Sequence, residues 1–128
     1  MQLYKGKIYQ PKQSKQNNQN NQNKQPNQNK YRNIKTEVDG HKFDSKAEAR
    51  RYNELKLLAA ADEILGFGLQ PSFTLPGGIR YMPDFIVCDK NGIVWVEDVK
   101  GMETQAFKLK QKLWESTYKW LELRIIKY

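Results

Sequence analysis

The stretch from Tyr81 to Gly101, YMPDFIVCDKNGIVWVEDVKG, holds two apolar, strand-like runs, and each carries acid where a buried strand ordinarily stays uncharged. Side chains alternate along a strand, so in Val96-Glu97-Asp98-Val99-Lys100 the acid sharing a face with Lys100 is Asp98, while Glu97 turns away with Val99. A tight antiparallel link through Asp89-Lys90-Asn91-Gly92 sets Asp84, near the start of one run, across from Asp98, near the end of the other. Two carboxylates and one ammonium then converge at one edge of a sheet. Carboxylates that close repel unless a cation neutralises them, and hard oxygen donors suit Mg²⁺ or Mn²⁺. Such a site binds a phosphate oxygen, lowers the pKa of a bound water and steadies charge developing on phosphorus. Lys100 is placed to orient that water or stabilise that charge. The structural alternative is an ion-pair network at a strand edge; the order Pro-Asp, strand, then Asp-x-Lys on the next strand is more than a loose charge cluster.

The elements that must position these residues follow from pattern. Asp39-Gly40 sits between two alternating stretches in Tyr31 to Phe43 and predicts a small hairpin. His41 on that hairpin, with no His or Cys nearby, reads as a surface strand residue without a role. Ser45 with Glu48 forms a capping box opening a helix that should run to about Leu65, stopped by Gly66 and Gly68. Glu48, Tyr52, Leu55 and Ala59 share its inward stripe. Leu69 to Leu75, Ile79 to Cys88 and Ile93 to Lys100 read as three consecutive strands in a meander, the last two covered on both faces. Thr104 caps a second helix through Trp120. In it Ala106, Phe107, Leu109, Leu113, Trp114, Tyr118 and Leu121 form the apolar arc, opposite Lys108, Lys112 and Lys119. Leu121 or Glu122 to Lys127 closes the chain as a strand. Thr104 also directs free backbone N–H groups toward a phosphate bound beside Lys100, and Lys108, Lys110 and Lys112 extend a basic surface from there.

Composition bounds the rest. A chain of 128 residues that is 38% hydrophobic supports one small core. From Gln10 to Lys30 the sequence is Gln and Asn broken only by Lys, Pro and Ser, so residues 1–30 offer almost nothing to the core and are expected to be a disordered tail, leaving 31–128 as the folded domain. That tail carries six lysines and no acid, so it holds +6 of the formal +8, and the remainder sets 16 basic groups against 14 acidic. The excess charge therefore sits on an arm, where it adds salt-dependent attraction to a polyanion. Cys88 alone excludes an internal disulfide and reads as a small buried strand residue. No run reaches the ~20 apolar residues of a membrane helix, and the N-terminus lacks a signal-peptide core, so a cytoplasmic protein with no membrane partner is expected.

Pro83-Asp84 followed by Asp98-Val99-Lys100, framed by helix, three strands, helix and strand, resembles the PD-(D/E)XK nuclease superfamily. FDSKAEARRYNEL, LQPSF, YMPDF and VEDVKG together look like a family of small phage-encoded members catalogued without an assigned function. The resemblance covers about residues 31 to 127. It implies an α/β (α+β) fold with a restriction-endonuclease-like αβββαβ core, a central mixed sheet flanked by two helices and preceded by the hairpin. It implies further that Asp84 and Asp98 hold the metal, that Lys100 assists the attacking water, and that a Glu of the first helix completes the site. Glu48 is that residue if its place in the capping box is not its whole purpose. Glu54 lies off the inward stripe and ranks lower, Glu97 reads as a supporting or surface acid, and Gln70 as a polar loop residue. Gln105 and Gln111 do not fit the Gln-x-x-x-Tyr form of the exonuclease branch. The expected activity is Mg²⁺-dependent endonucleolytic cleavage of DNA, on branched or junction intermediates of phage replication or recombination in the bacterial host. A homodimer is the expected form for cutting both strands. The competing expectation is a non-catalytic nucleic-acid-binding accessory protein that keeps the fold.

Overall fold

The computed structural model describes residues 34–128; the Gln/Asn-rich segment, its expected disorder, and the first residues of the expected hairpin lie outside the described residues. Strands β1 (Thr36–Val38) and β2 (His41–Phe43) pair antiparallel. Their two-residue turn places Asp39 at φ 52° and Gly40 at φ 77°, the left-handed pair that a tight hairpin demands. Asp39 Oδ2 accepts from Lys56 Nζ at 2.5 Å and from Tyr52 Oη at 3.0 Å, which ties the hairpin to the first helix. His41 is half-buried, not a plain surface residue: its ring lies edge-on to Tyr52 at 5.7 Å, and its Nε2 is buried without a hydrogen-bond partner.

Helix α1 spans Lys46–Ala60, opened by Ser45, whose Oγ accepts from the Glu48 N–H at 3.1 Å. It ends before the expected Leu65. Asp62 turns left-handed at φ 59°, the Asp62 N–H donates to the Ala59 carbonyl and the Glu63 N–H to the Leu58 carbonyl. That is a Schellman stop, built on Asp where glycine is usual, so the local pattern did not announce it. Gly66 and Gly68 do not stop the helix; they are buried inside a strand, β3 (Ile64–Leu69).

Two further expected strands also divide. Gln70 to Ser72 separates β3 from β4 (Phe73–Leu75), and Met82-Pro83-Asp84 separates β5 (Ile79–Tyr81) from β6 (Phe85–Asp89). Proline lacks the N–H that a ladder needs, so the backbone leaves one sheet at Pro83 and enters another. The pair β4–β5 is a hairpin of its own. After β7 (Val94–Val99) come α2 (Gln105–Thr117) and β8 (Glu122–Ile126). The main sheet is ordered β3-β6-β7-β8, with β8 parallel to β7 and the other pairs antiparallel, so the simple meander becomes a mixed sheet with a hairpin inserted.

Alternation along β6 and β7 sorts side chains between two layers. Phe85, Val87, Trp95 and Val99 join Ala49, Tyr52, Leu55 and Ala59 of α1. Ile86 and Val96 join Phe107 and Trp114 of α2 together with Leu75 and Tyr81 of the hairpin. Ala106 and Leu109, expected in the buried arc of α2, are exposed. The helix also stops at Thr117, short of Trp120, so the arc is narrower than its sequence suggests.

Glu97 faces α1 and is 1% exposed, so it is neither a surface acid nor solvated. Arg51 grips both its oxygens, Nη2 to Oε1 at 2.6 Å and Nε to Oε2 at 2.7 Å, and Trp95 Nε1 donates to Oε1 at 3.0 Å. A bidentate guanidinium satisfies a buried carboxylate where a point charge would not. Arg51→Ala leaves Glu97 buried and unpaired, and chemical denaturation should report a loss of about 3–5 kcal/mol.

Candidate active site

The bend after β5 delivers Asp84 to the carboxy end of β7. Although outside β6, its backbone is held on both sides: the Gln70 N–H donates to its carbonyl at 2.9 Å, and its own N–H donates to the Glu97 carbonyl at 2.9 Å. Gln70 makes its bond from a left-handed conformation, φ 44°, so this exposed residue shapes the backbone around the site. Asp84 Oδ2 accepts the Val99 N–H at 2.7 Å. The Asp98 carboxylate lies close enough that its charge acts on the same carboxyl.

Asp98 is 3% exposed and stands on the α2 side of β7, opposite in direction to Glu97. Its Oδ1 lies 3.1 Å from Lys100 Nζ, and its Oδ2 accepts the hydroxyl of Tyr81, a buried residue at the end of β5. Lys100 is half-buried, with its ammonium 4.7 Å from the centre of the Phe107 ring. Glu48 reaches the same neighbourhood from the first turn of α1, near enough for Asp98 and Asp84 to feel its charge, while its Oε1 accepts from Ser45 Oγ at 3.4 Å. Asp84, Asp98 and Lys100 are therefore brought together, and Glu48 stands beside them still engaged in its capping box. Glu54 lies away, bound by Arg50, Arg51 and Tyr128.

Tyr81 and Arg51 are the residues that sequence reasoning missed. Tyr81 could have been found from its place three residues before Asp84, because Pro83 ends the strand between them. Arg51 gave no comparable signal, since its partner is 46 residues away.

Electrostatically the site is short of positive charge. Burial, with the Asp98 and Glu48 charges added, pushes the Asp84 carboxyl up to about 8. Burial also raises Glu48, with Asp44 adding to the effect. One ammonium faces three acids. A divalent cation would relieve that excess, and the donors are the hard oxygens that Mg²⁺ prefers. Among the described residues no group of three His, Cys, Asp or Glu side chains is drawn together to hold an ion. The fit is instead that of an ion taken by the Asp84–Asp98 pair, since Mg²⁺ is commonly held by one or two carboxylates with water or phosphate completing its shell.

Past Lys100, Thr104 Oγ1 accepts the Phe107 N–H at 3.1 Å and opens α2. Lys108 and Lys112 on that helix are exposed and Lys110 is half-buried. No described helix is long and apolar enough to cross a membrane. In comparisons with known proteins, one family model, described as a protein of unknown function (DUF1064), matches residues 28–128. No curated protein and no solved structure matches.

The charge excess has a measurable consequence. A carboxyl raised in the folded state favours folding fully below its ordinary value near 4, and that contribution is lost as pH climbs toward 8. In EDTA, the unfolding free energy from urea titrations should fall between pH 5.5 and 8.5, by at most about 1.4 kcal/mol per pH unit. Asp84→Asn should flatten the slope, and Mg²⁺ should recover most stability at the alkaline end.

Proposed function

The chain belongs to this family of unknown function, DUF1064, whose description assigns no activity, and we propose from the site itself that the protein is a metal-dependent endonuclease hydrolysing DNA phosphodiester bonds. The observation carrying this reading is the convergence of Asp84, anchored on the Val99 N–H, with Asp98 and its Lys100 ammonium at the carboxy end of a strand and next to a lysine-bearing helix. Crevices beyond the carboxyl ends of strands are where open α/β sheets place ligands. Element order and the Pro-Asp, Asp-x-Lys spacing support membership of the PD-(D/E)XK nuclease superfamily.

In this reading Asp84 and Asp98 hold Mg²⁺ or Mn²⁺, with Glu48 swinging from Ser45 to join them. The ion supplies charge neutralisation at the phosphate and a more acidic water. Asp84 and Asp98 fix where the phosphate group sits. Lys100 Nζ, which lies 3.1 Å from Asp98 Oδ1 and is freed when an ion takes that oxygen, orients the attacking water or steadies the charge that builds on phosphorus. The first N–H groups of α2 beyond Thr104, with Lys108, Lys110 and Lys112, receive the strand's phosphates. Branched or junction DNA in a phage-infected bacterial cytoplasm is the substrate this reading favours, and a second copy of the chain would cut the other strand.

The test is incubation of the full chain with linear duplex, single-stranded and four-way-junction DNA in Mg²⁺, Mn²⁺ or EDTA. Cleavage should require metal and fall at least a hundredfold in Asp84→Ala and Lys100→Ala with the fold intact; cutting that survives both changes rejects the mechanism. Salt-sensitive binding to every substrate without breakage would instead identify a non-catalytic nucleic-acid-binding accessory protein.

A further inference from the structure

We propose that Tyr81 is a positioning residue that fixes the metal affinity of the site by occupying one oxygen of Asp98. The inference rests on the nuclease reading insofar as Asp98 is taken to bind a divalent cation.

Asp98 is nearly sealed from solvent, and both its oxygens have partners: Tyr81 Oη donates to Oδ2 and Lys100 Nζ lies 3.1 Å from Oδ1. Lys100 is half-buried and on a flexible stem, so its contact can yield to an ion. The phenol cannot yield as readily. Tyr81 is 6% exposed and ends β5, where Phe73 pairs with it across the β4–β5 hairpin. Its ring meets Trp114 edge-on at 5.9 Å, and Phe73 meets the same indole at 4.7 Å. Tyr118 Oη, on the turn after α2, donates to the Thr74 carbonyl and pins the hairpin again. A hydroxyl carried on so fixed a frame holds Oδ2 in place and leaves Asp98 to offer a cation one oxygen, Oδ1. A carboxylate so restricted suits Mg²⁺, which demands near-ideal octahedral geometry, and disfavours Ca²⁺, which accepts both oxygens of one carboxylate in a looser shell. Partners of metal-binding carboxylates typically govern affinity by 10–100-fold. The hairpin inserted between β3 and β6 thereby serves the site as well as the core layer that its Leu75 and Tyr81 complete.

The experiment is calorimetric titration of the full chain with Mg²⁺ and with Ca²⁺, on the parent, Tyr81→Phe and Trp114→Phe, with thermal unfolding recorded for each. Tyr81→Phe keeps the ring and should weaken Mg²⁺ binding about tenfold or more while Ca²⁺ binding holds or tightens. Trp114→Phe loosens the frame that carries the hydroxyl without removing it, so it should weaken Mg²⁺ binding less than Tyr81→Phe does even though its unfolding temperature drops further. Equal Mg²⁺ affinity in parent and Tyr81→Phe overturns the inference and leaves the nuclease reading standing. Failure of the parent to bind either ion overturns both. Should Tyr81→Phe not fold, 3-fluorotyrosine at position 81 keeps a hydroxyl of greater acidity; Mg²⁺ affinity must then shift at least twofold, and an unchanged value overturns the inference.

Discussion

Asp84 and Asp98 come together at the end of a strand in a place so dry that burial and its neighbour's charge push the Asp84 carboxyl well above the usual carboxylate range. Much of the fold around them serves to keep that contact. The Pro83 bend brings Asp84 in, Gln70 and Glu97 fasten its backbone, and the Val99 N–H captures one of its oxygens. The sheet holds Asp98 by pairing β7 with β6 on one side and β8 on the other. Repulsion between unneutralised carboxylates in such a setting costs stability, so the surrounding core must over-determine their positions.

The neighbouring acids of β7 illustrate how period-two alternation separates structural from chemical use. Glu97 turns toward α1, where a bidentate guanidinium and an indole N–H satisfy it. Its charge is matched, and it locks helix to sheet. Asp98 turns toward α2 and receives a phenol, one half-buried ammonium and a second carboxyl. Its surroundings remain short of positive charge. One residue step along a strand is enough to assign the two acids to different layers and different work.

Sequence made some of this legible and hid the rest for physical reasons. Asp39-Gly40 announces its hairpin because few residues tolerate two left-handed positions in succession, and Ser45 announces its helix because its oxygen reaches the Glu48 N–H. The convergence of Asp84, Asp98 and Lys100 was readable from alternation and a four-residue link, both local facts. The α1 stop was not, because Asp62 took the left-handed role that the following glycines seemed to claim, and Pro83 divided a run with large apolar residues, Tyr81 and Met82 before it and Phe85 and Ile86 after it, on both sides. Exposure of Leu109 and burial of Glu97 depend on what tertiary packing brings opposite them. Arg51 lies far from Glu97 in the chain, and no spacing rule reaches so far.

The central proposal is that the Asp84–Asp98 pair takes up a divalent cation. Crystals of the full chain soaked in Mn²⁺, with anomalous difference maps calculated at the manganese edge, test it most directly. The account predicts a single strong peak within coordination distance of both carboxylates and the loss of that peak in Asp98→Asn. A well-ordered pair with no peak, while manganese is seen elsewhere on the molecule, would contradict it and return Asp84, Asp98 and Lys100 to a structural ion-pair network.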